Sequence, residues 1–162
     1  LSVNIYPNAA LTHIFVDYCE SIRSNAYSLL ELQKIVSTIP TIEHILAQTP
    51  DFQPESLGFE DMEDFVSYEH RLGNLSLLEK SLNSTVQKKV PSLKVELGYD
   101  KSCFEMTKKL ASDIIAKQTF AKQDVIDRTE ELKGYCVKRW WANVPEGLPD
   151  DVISDESITE EL

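Results

Sequence analysis

Between Pro40 and Gly73 the hydrophobic pattern of this chain changes period, and that change limits the folds open to it. Upstream, Leu11, Ile14, Phe15, Tyr18 and Ile22 recur at helical spacing over residues 8–24, and Leu29, Leu30, Leu32, Ile35 and Val36 do the same over 27–37. Pro40 then stops helical growth. The β-branched run at 39–45 is too short for a helix and predicts a strand. Residues 48–58 form a loop by their Pro and Gly content, and 59–69 predict a short acidic helix. After Gly73 the apolar stretch 74–78 suits a buried strand, followed by a helix over 79–89 that Pro91 ends. Ser102 with Glu105 three residues on reads as a capping box that opens a helix near 103–117. A last helix is expected near 121–142. The fold class is therefore mainly α, with a small ββα unit inserted among helices. Three segments follow: N-terminal helices over 1–37, a core over 38–145 and an acidic tail over 146–162.

The 162 residues suffice for one domain with a real core. No apolar run approaches ~18 residues, so no membrane span is expected. Leu1-Ser2-Val3-Asn4 lacks a start Met, a basic segment and a signal-type apolar stretch, and reads as the edge of a fragment of a longer chain. Cys19, Cys103 and Cys136 are odd in number and far apart, which argues against a disulfide framework or a cysteine zinc site. A reducing, cytoplasmic setting is the simplest expectation.

A net charge of −11 argues against a polyanion ligand until its distribution is read. Residues 51–69 and 146–162 each hold seven acidic side chains and no Lys or Arg. Residues 70–145 hold 14 basic against 9 acidic side chains. A mildly basic body thus lies between an acidic loop and an acidic tail, and the overall charge says little about what that body touches.

The segment that carries chemistry is Glu43-His44 at the end of the first strand, then His70, Gly73-Asn74 opening the second strand, and Asn83 in the first turns of the helix. Phosphodiester hydrolysis needs a base near neutral pH, which a neutral imidazole supplies. It also needs charge stabilisation on phosphate, which a hard cation on carboxylate and amide oxygens supplies. Adjacent strand residues point to opposite faces, so Glu43 and His44 serve one site only where the strand ends and twists.

The pieces Ile42-Glu43-His44-Ile45 with Gln48, and His70 with Leu72-Gly73-Asn74-Leu75 and Leu77-Leu78, followed by Asn83, resemble the HNH or His-Me finger nuclease motif. They resemble more closely the C-terminal nuclease domain of GmrSD-type modification-dependent restriction enzymes. Lys101-Ser102-Cys103-Phe104, Phe120, Ile126, Arg128 and Trp140 also look like that family's later helices, so the likeness runs over about residues 35–142. Ala47 stands where the family usually has Pro. The resemblance implies a ββα unit holding one Mg²⁺ or Mn²⁺, His44 as general base, and Glu43 with Asn83 as metal ligands. It implies that Asn74 braces the intervening loop and orients His44.

Lys88, Lys89 and Lys94 follow the site and either meet DNA phosphate or form a solvated helix face. His70 is a further candidate ligand or base, read here as a structural hydrogen-bonding residue, and His13 as a surface residue. Trp140-Trp141 reads as core, with base stacking as the alternative.

The function expected is a metal-dependent DNA endonuclease or nickase, the effector of a restriction or phage-defence protein whose N-terminal sensor or NTPase part lies outside this sequence. The alternatives are a non-catalytic helical interaction module that uses the acidic tail, and an RNase using the same site.

Overall fold

The computed structural model describes residues 9–140. The expected acidic tail and Trp141 lie outside them. The described chain runs as seven α-helices and one two-stranded antiparallel sheet. Helix α1 is Ala9–Ile22 and α2 is Leu29–Ser37. Strand β1 is Pro40–His44, α3 is Met62–Tyr68 and β2 is Leu75–Glu79. Helices α4, Lys80–Val86, and α5, Pro91–Leu97, follow at once. Two longer helices close the fold: α6, Glu105–Lys117, and α7, Lys122–Trp140. The mainly helical expectation holds, with the strands where the pattern changed period. No helix among the described residues is long and apolar enough to cross a membrane.

The hairpin is the centre of the molecule. Thr41 pairs with Leu78, Ile42 with Leu77, Glu43 with Ser76 and His44 with Leu75. All five residues of β2 are buried, so both its faces meet protein. One face places Leu75 and Leu77 with Leu11, Phe15 and Tyr18 of α1, Met106 of α6 and Leu132 of α7. The other places Leu78 with Ile45, Phe65, Val86, Val95, Tyr99 and Ile114. Polar groups inside β2 find partners: Ser76 Oγ lies 2.9 Å from Thr107 Oγ1, and Glu79 accepts from Ser102 Oγ at 2.8 Å and Cys103 N–H at 2.7 Å.

Two local expectations are corrected. Ser102 and Glu105 do not form a capping box; α6 begins after Phe104, and Ser102 Oγ donates to buried Glu79 instead. The capping box is at Ser28 and Glu31, at the start of α2. Pro91 does not only end a helix. It occupies the first turn of α5, where its missing N–H costs nothing.

Gly73 fixes the approach of α7 to the hairpin. It lies in a 3-10 turn, Leu72–Asn74, and its N–H donates to Thr129 Oγ1 at 3.0 Å. A Cβ there would sit 1.9 Å from Val125 O and 2.6 Å from Thr129 Oγ1. Backbone oxygen cannot yield as a flexible side chain can. Gly73→Ala is expected to destabilise the fold by at least the ~1–3 kcal/mol typical of overpacking. The urea midpoint of the variant checks this; an unchanged midpoint would contradict the close approach.

Candidate active site

The strand end and the turn before β2 are tied together by one asparagine. Ile45 N–H donates to Asn74 O at 2.9 Å, which carries the hairpin ladder one residue past β1. The Asn74 side chain, fully buried, accepts from Leu46 N–H at 2.8 Å and donates to Leu46 O at 3.1 Å. It also donates to Glu69 O at 2.9 Å. Its amide group therefore bridges the chain just after His44 to the chain just before His70.

That bridge brings three potential metal or proton ligands together. His44 Nε2 lies 3.1 Å from His70 Nδ1, with the rings edge to face. His70 Nε2 lies 3.4 Å from Glu69 Oε1, and Gln48 donates its amide hydrogen to the same carboxylate oxygen. One ligand atom from each of His44, Glu69 and His70 lies within 4.8 Å of the others. His44 is buried, while Glu69 and His70 are half-buried, so the cluster is inset but reachable.

Burial pushes the His44 imidazole down to about 4, with further lowering by His70 and by the Lys94 ammonium. It is therefore neutral near pH 7, the form that accepts a proton. The same shift is a stability statement. An unfolded His protonates near 6.5 and the folded one only near 4. Between those values the unfolded chain binds the extra proton, so stability is lost as pH falls through the window, by about 3 kcal/mol in all. Urea unfolding from pH 7.5 to 4.5 is expected to show that loss, and His44→Gln is expected to remove this component of it. An identical pH slope in the variant would contradict the assignment.

Glu43 takes the other direction from the strand. It is buried, and its Oε1 accepts from Lys94 Nζ at 2.5 Å and from Tyr99 OH at 3.0 Å. Lys94 Nζ also donates to His44 O at 2.6 Å. Burial raises the Glu43 carboxyl against the pull of Lys94, and burial lowers the Lys94 ammonium against the pull of Glu43. Asn83 turns its amide hydrogens to Thr41 Oγ1 at 2.9 Å and Ile42 O at 3.2 Å, locking α4 onto β1.

Of the expected metal ligands, Glu43 is thus engaged by a buried ammonium and by Tyr99, and Asn83 donates through its NH2 group to Thr41 and Ile42 of β1. Lys94 is corrected most sharply. It is fully buried and offers no surface to DNA phosphate. Lys88 and Lys89 are exposed, with Lys88 3.0 Å from Asp51. His13 is exposed, as read from its helix. His70, read as a structural residue, stands beside His44.

Glu69, Gln48 and Tyr99 were not assigned roles from sequence. Glu69 was hidden among the seven acidic residues of 51–69; its adjacency to His70, four residues before Gly73-Asn74, was the available signal.

A mainly helical domain whose single described hairpin ends in an imidazole–imidazole–carboxylate cluster brings groups that could accept protons or hold a cation to one point. Residues 2–134 match the family described as GmrSD restriction endonucleases, C-terminal domain, and the chain belongs to that family. No curated protein and no solved structure matches it.

Proposed function

We propose that this domain is a divalent-metal-dependent endonuclease or nickase that hydrolyses DNA phosphodiester bonds, with His44 as general base. The observation that carries the reading is His44 itself: a buried imidazole, neutral near pH 7, fixed at a hairpin end against His70 in a chain of a restriction endonuclease family. His44 takes a proton from the attacking water. Asn74 keeps the backbone after His44 in register with the Glu69-His70 turn, so the imidazole is held in place before substrate arrives.

The ligand set for the cation is reassigned. A dication at Glu43 would face the Lys94 ammonium that already occupies its carboxylate, and this does not fit. Glu69 and His70 do fit: a carboxylate and an imidazole, partly exposed, next to the base. There a Mg²⁺ or Mn²⁺ ion would supply Lewis-acid stabilisation of phosphate charge. Lys88 and Lys89, both exposed, meet the DNA backbone in this reading, which makes binding salt-sensitive. The acidic block is partly neutralised within the fold, through Asp51 with Lys88 and Asp64 with Lys122, so it opposes DNA less than its count suggests. An N-terminal sensor or NTPase part, and a role in phage defence, complete the reading as the family likeness implies them.

The test is nicking of supercoiled plasmid in Mg²⁺, in Mn²⁺ and in EDTA, beside a structured RNA of similar length. Metal-dependent relaxation of the plasmid supports the reading. Cleavage of RNA alone would transfer the site to an RNase, and no cleavage of either by the full-length protein would leave an interaction module.

A further inference from the structure

The cluster around His44 offers more donors than the proposed catalytic arrangement uses. His44 Nε2, one nitrogen of His70 and a carboxylate oxygen of Glu69 are mutually within 4.8 Å. His70 meets its neighbours through different ring nitrogens, Nδ1 3.1 Å from His44 Nε2 and Nε2 3.4 Å from Glu69 Oε1, so an ion takes one of the two and draws the three donors in from within 4.8 Å to the ~3.3–3.5 Å that surrounds a tetrahedral ion at 2.0–2.2 Å. The surroundings hold the donors in place. Gln48 fixes the Glu69 carboxylate and Asn74 fixes the Glu69 backbone, the kind of outer support that orients metal ligands. Two imidazoles and one carboxylate are a poor set for Mg²⁺, which prefers oxygen and water. They suit Zn²⁺, Co²⁺ and Ni²⁺, and three protein donors leave a position open.

We propose that His44, Glu69 and His70 together form a site for a borderline transition-metal ion such as Zn²⁺, in which His44 is the third ligand. This inference rests on the reading of His44 as general base for its functional consequence. A ring nitrogen bound to Zn²⁺ holds its lone pair in the metal bond and cannot accept a proton from water. The same three side chains therefore run hydrolysis with Mg²⁺ or Mn²⁺, which leaves His44 unbound, and stop it with Zn²⁺, which takes His44. Competition between metals at this point is an inhibitory device set by donor chemistry alone.

The experiment is calorimetric titration of the full chain with Zn²⁺ and, separately, with Mn²⁺, backed by the visible absorption of bound Co²⁺. One Zn²⁺ per chain is expected. His44→Ala is expected to weaken Zn²⁺ at least ~10-fold, the lower end of what even outer-support changes cost, while leaving Mn²⁺ affinity unchanged. Glu69→Gln and His70→Ala weaken both ions. His13→Ala and Cys136→Ser, which remove an exposed imidazole and a half-buried thiol, leave Zn²⁺ affinity as it was. Unaltered Zn²⁺ affinity in His44→Ala overturns the proposal, as does an equal loss in either control. Circular dichroism of each variant confirms folding, and His44→Gln serves if the alanine variant does not fold.

In the plasmid assay, Zn²⁺ added to the Mn²⁺-driven wild type is expected to stop nicking with a midpoint that lies above the calorimetric constant and rises in proportion as Mn²⁺ is raised. Nicking that persists at saturating Zn²⁺ overturns the inhibitory half. A wild type that never nicks refutes the proposed activity, and the calorimetry then decides the metal site by itself.

Discussion

His44→Ala is expected to remove plasmid nicking while leaving the fold in place. Loss of a positioned general base typically costs ~10²–10⁴ in rate. The strand is held by the backbone of His44 and Ile45, with Lys94 on the His44 carbonyl and Asn74 on the chain beyond, and none of these contacts uses the imidazole. Truncation therefore strikes chemistry before structure. His44→Gln fills the same space with a polar group that cannot act as a base, and it is expected to be as inactive as the alanine variant. The pH profile separates this from a structural effect. With the imidazole neutral down to about 4, the wild-type rate is not expected to fall through the usual histidine range near 6.5 on account of His44. A well-folded His44→Ala protein that nicks at the wild-type rate would end the assignment and pass the role to His70.

The parts of this structure that were legible in the sequence are those with a local cause. The β-branched run after Pro40 and the apolar stretch after Gly73 have no helical solution, and they became β1 and β2 within a residue or two. The Glu43-His44 and Gly73-Asn74 spacing located the hairpin end and the asparagine that spans it. What stayed hidden had its cause elsewhere in the chain. A lysine on a short helix reads as solvated, and nothing near Lys94 announces that Glu43, 51 residues away, waits for it inside the core. Glu69 looked like one more charge in an acidic block until the turn placed it beside His70. Ser102 has the right spacing for a cap, yet buried Glu79 claims its hydroxyl. Tertiary demand overrides local pattern in each case. The pleat decides the last one: neighbouring residues face apart, so the Glu43-His44 pair splits between the core and the site.

That split yields the largest effect on stability. Lys94→Met keeps much of the side-chain volume and removes the ammonium. Glu43 would then hold its charge inside the protein against the neutral donors Tyr99 OH and the His44 backbone, and the His44 carbonyl would lose its Lys94 donor. Breaking one half of a buried ion pair typically costs ~3–5 kcal/mol, because the survivor is an uncompensated charge. A loss of that size is a large fraction of a domain's whole stability. Glu43→Gln added to Lys94→Met removes the stranded charge and is expected to recover part of the loss, so the double variant is more stable than Lys94→Met alone. Acidification discriminates further. Burial already raises the Glu43 carboxyl, and without Lys94 it rises further. As pH falls, Glu43 protonates in the single variant and its penalty shrinks toward that of the double. Urea unfolding of the three proteins at several pH values measures these differences. A Lys94→Met protein as stable as the wild type, or a gap between single and double variants that does not close with acid, would mean that the Glu43–Lys94 pair is not the buried charge pair on which this end of the hairpin rests.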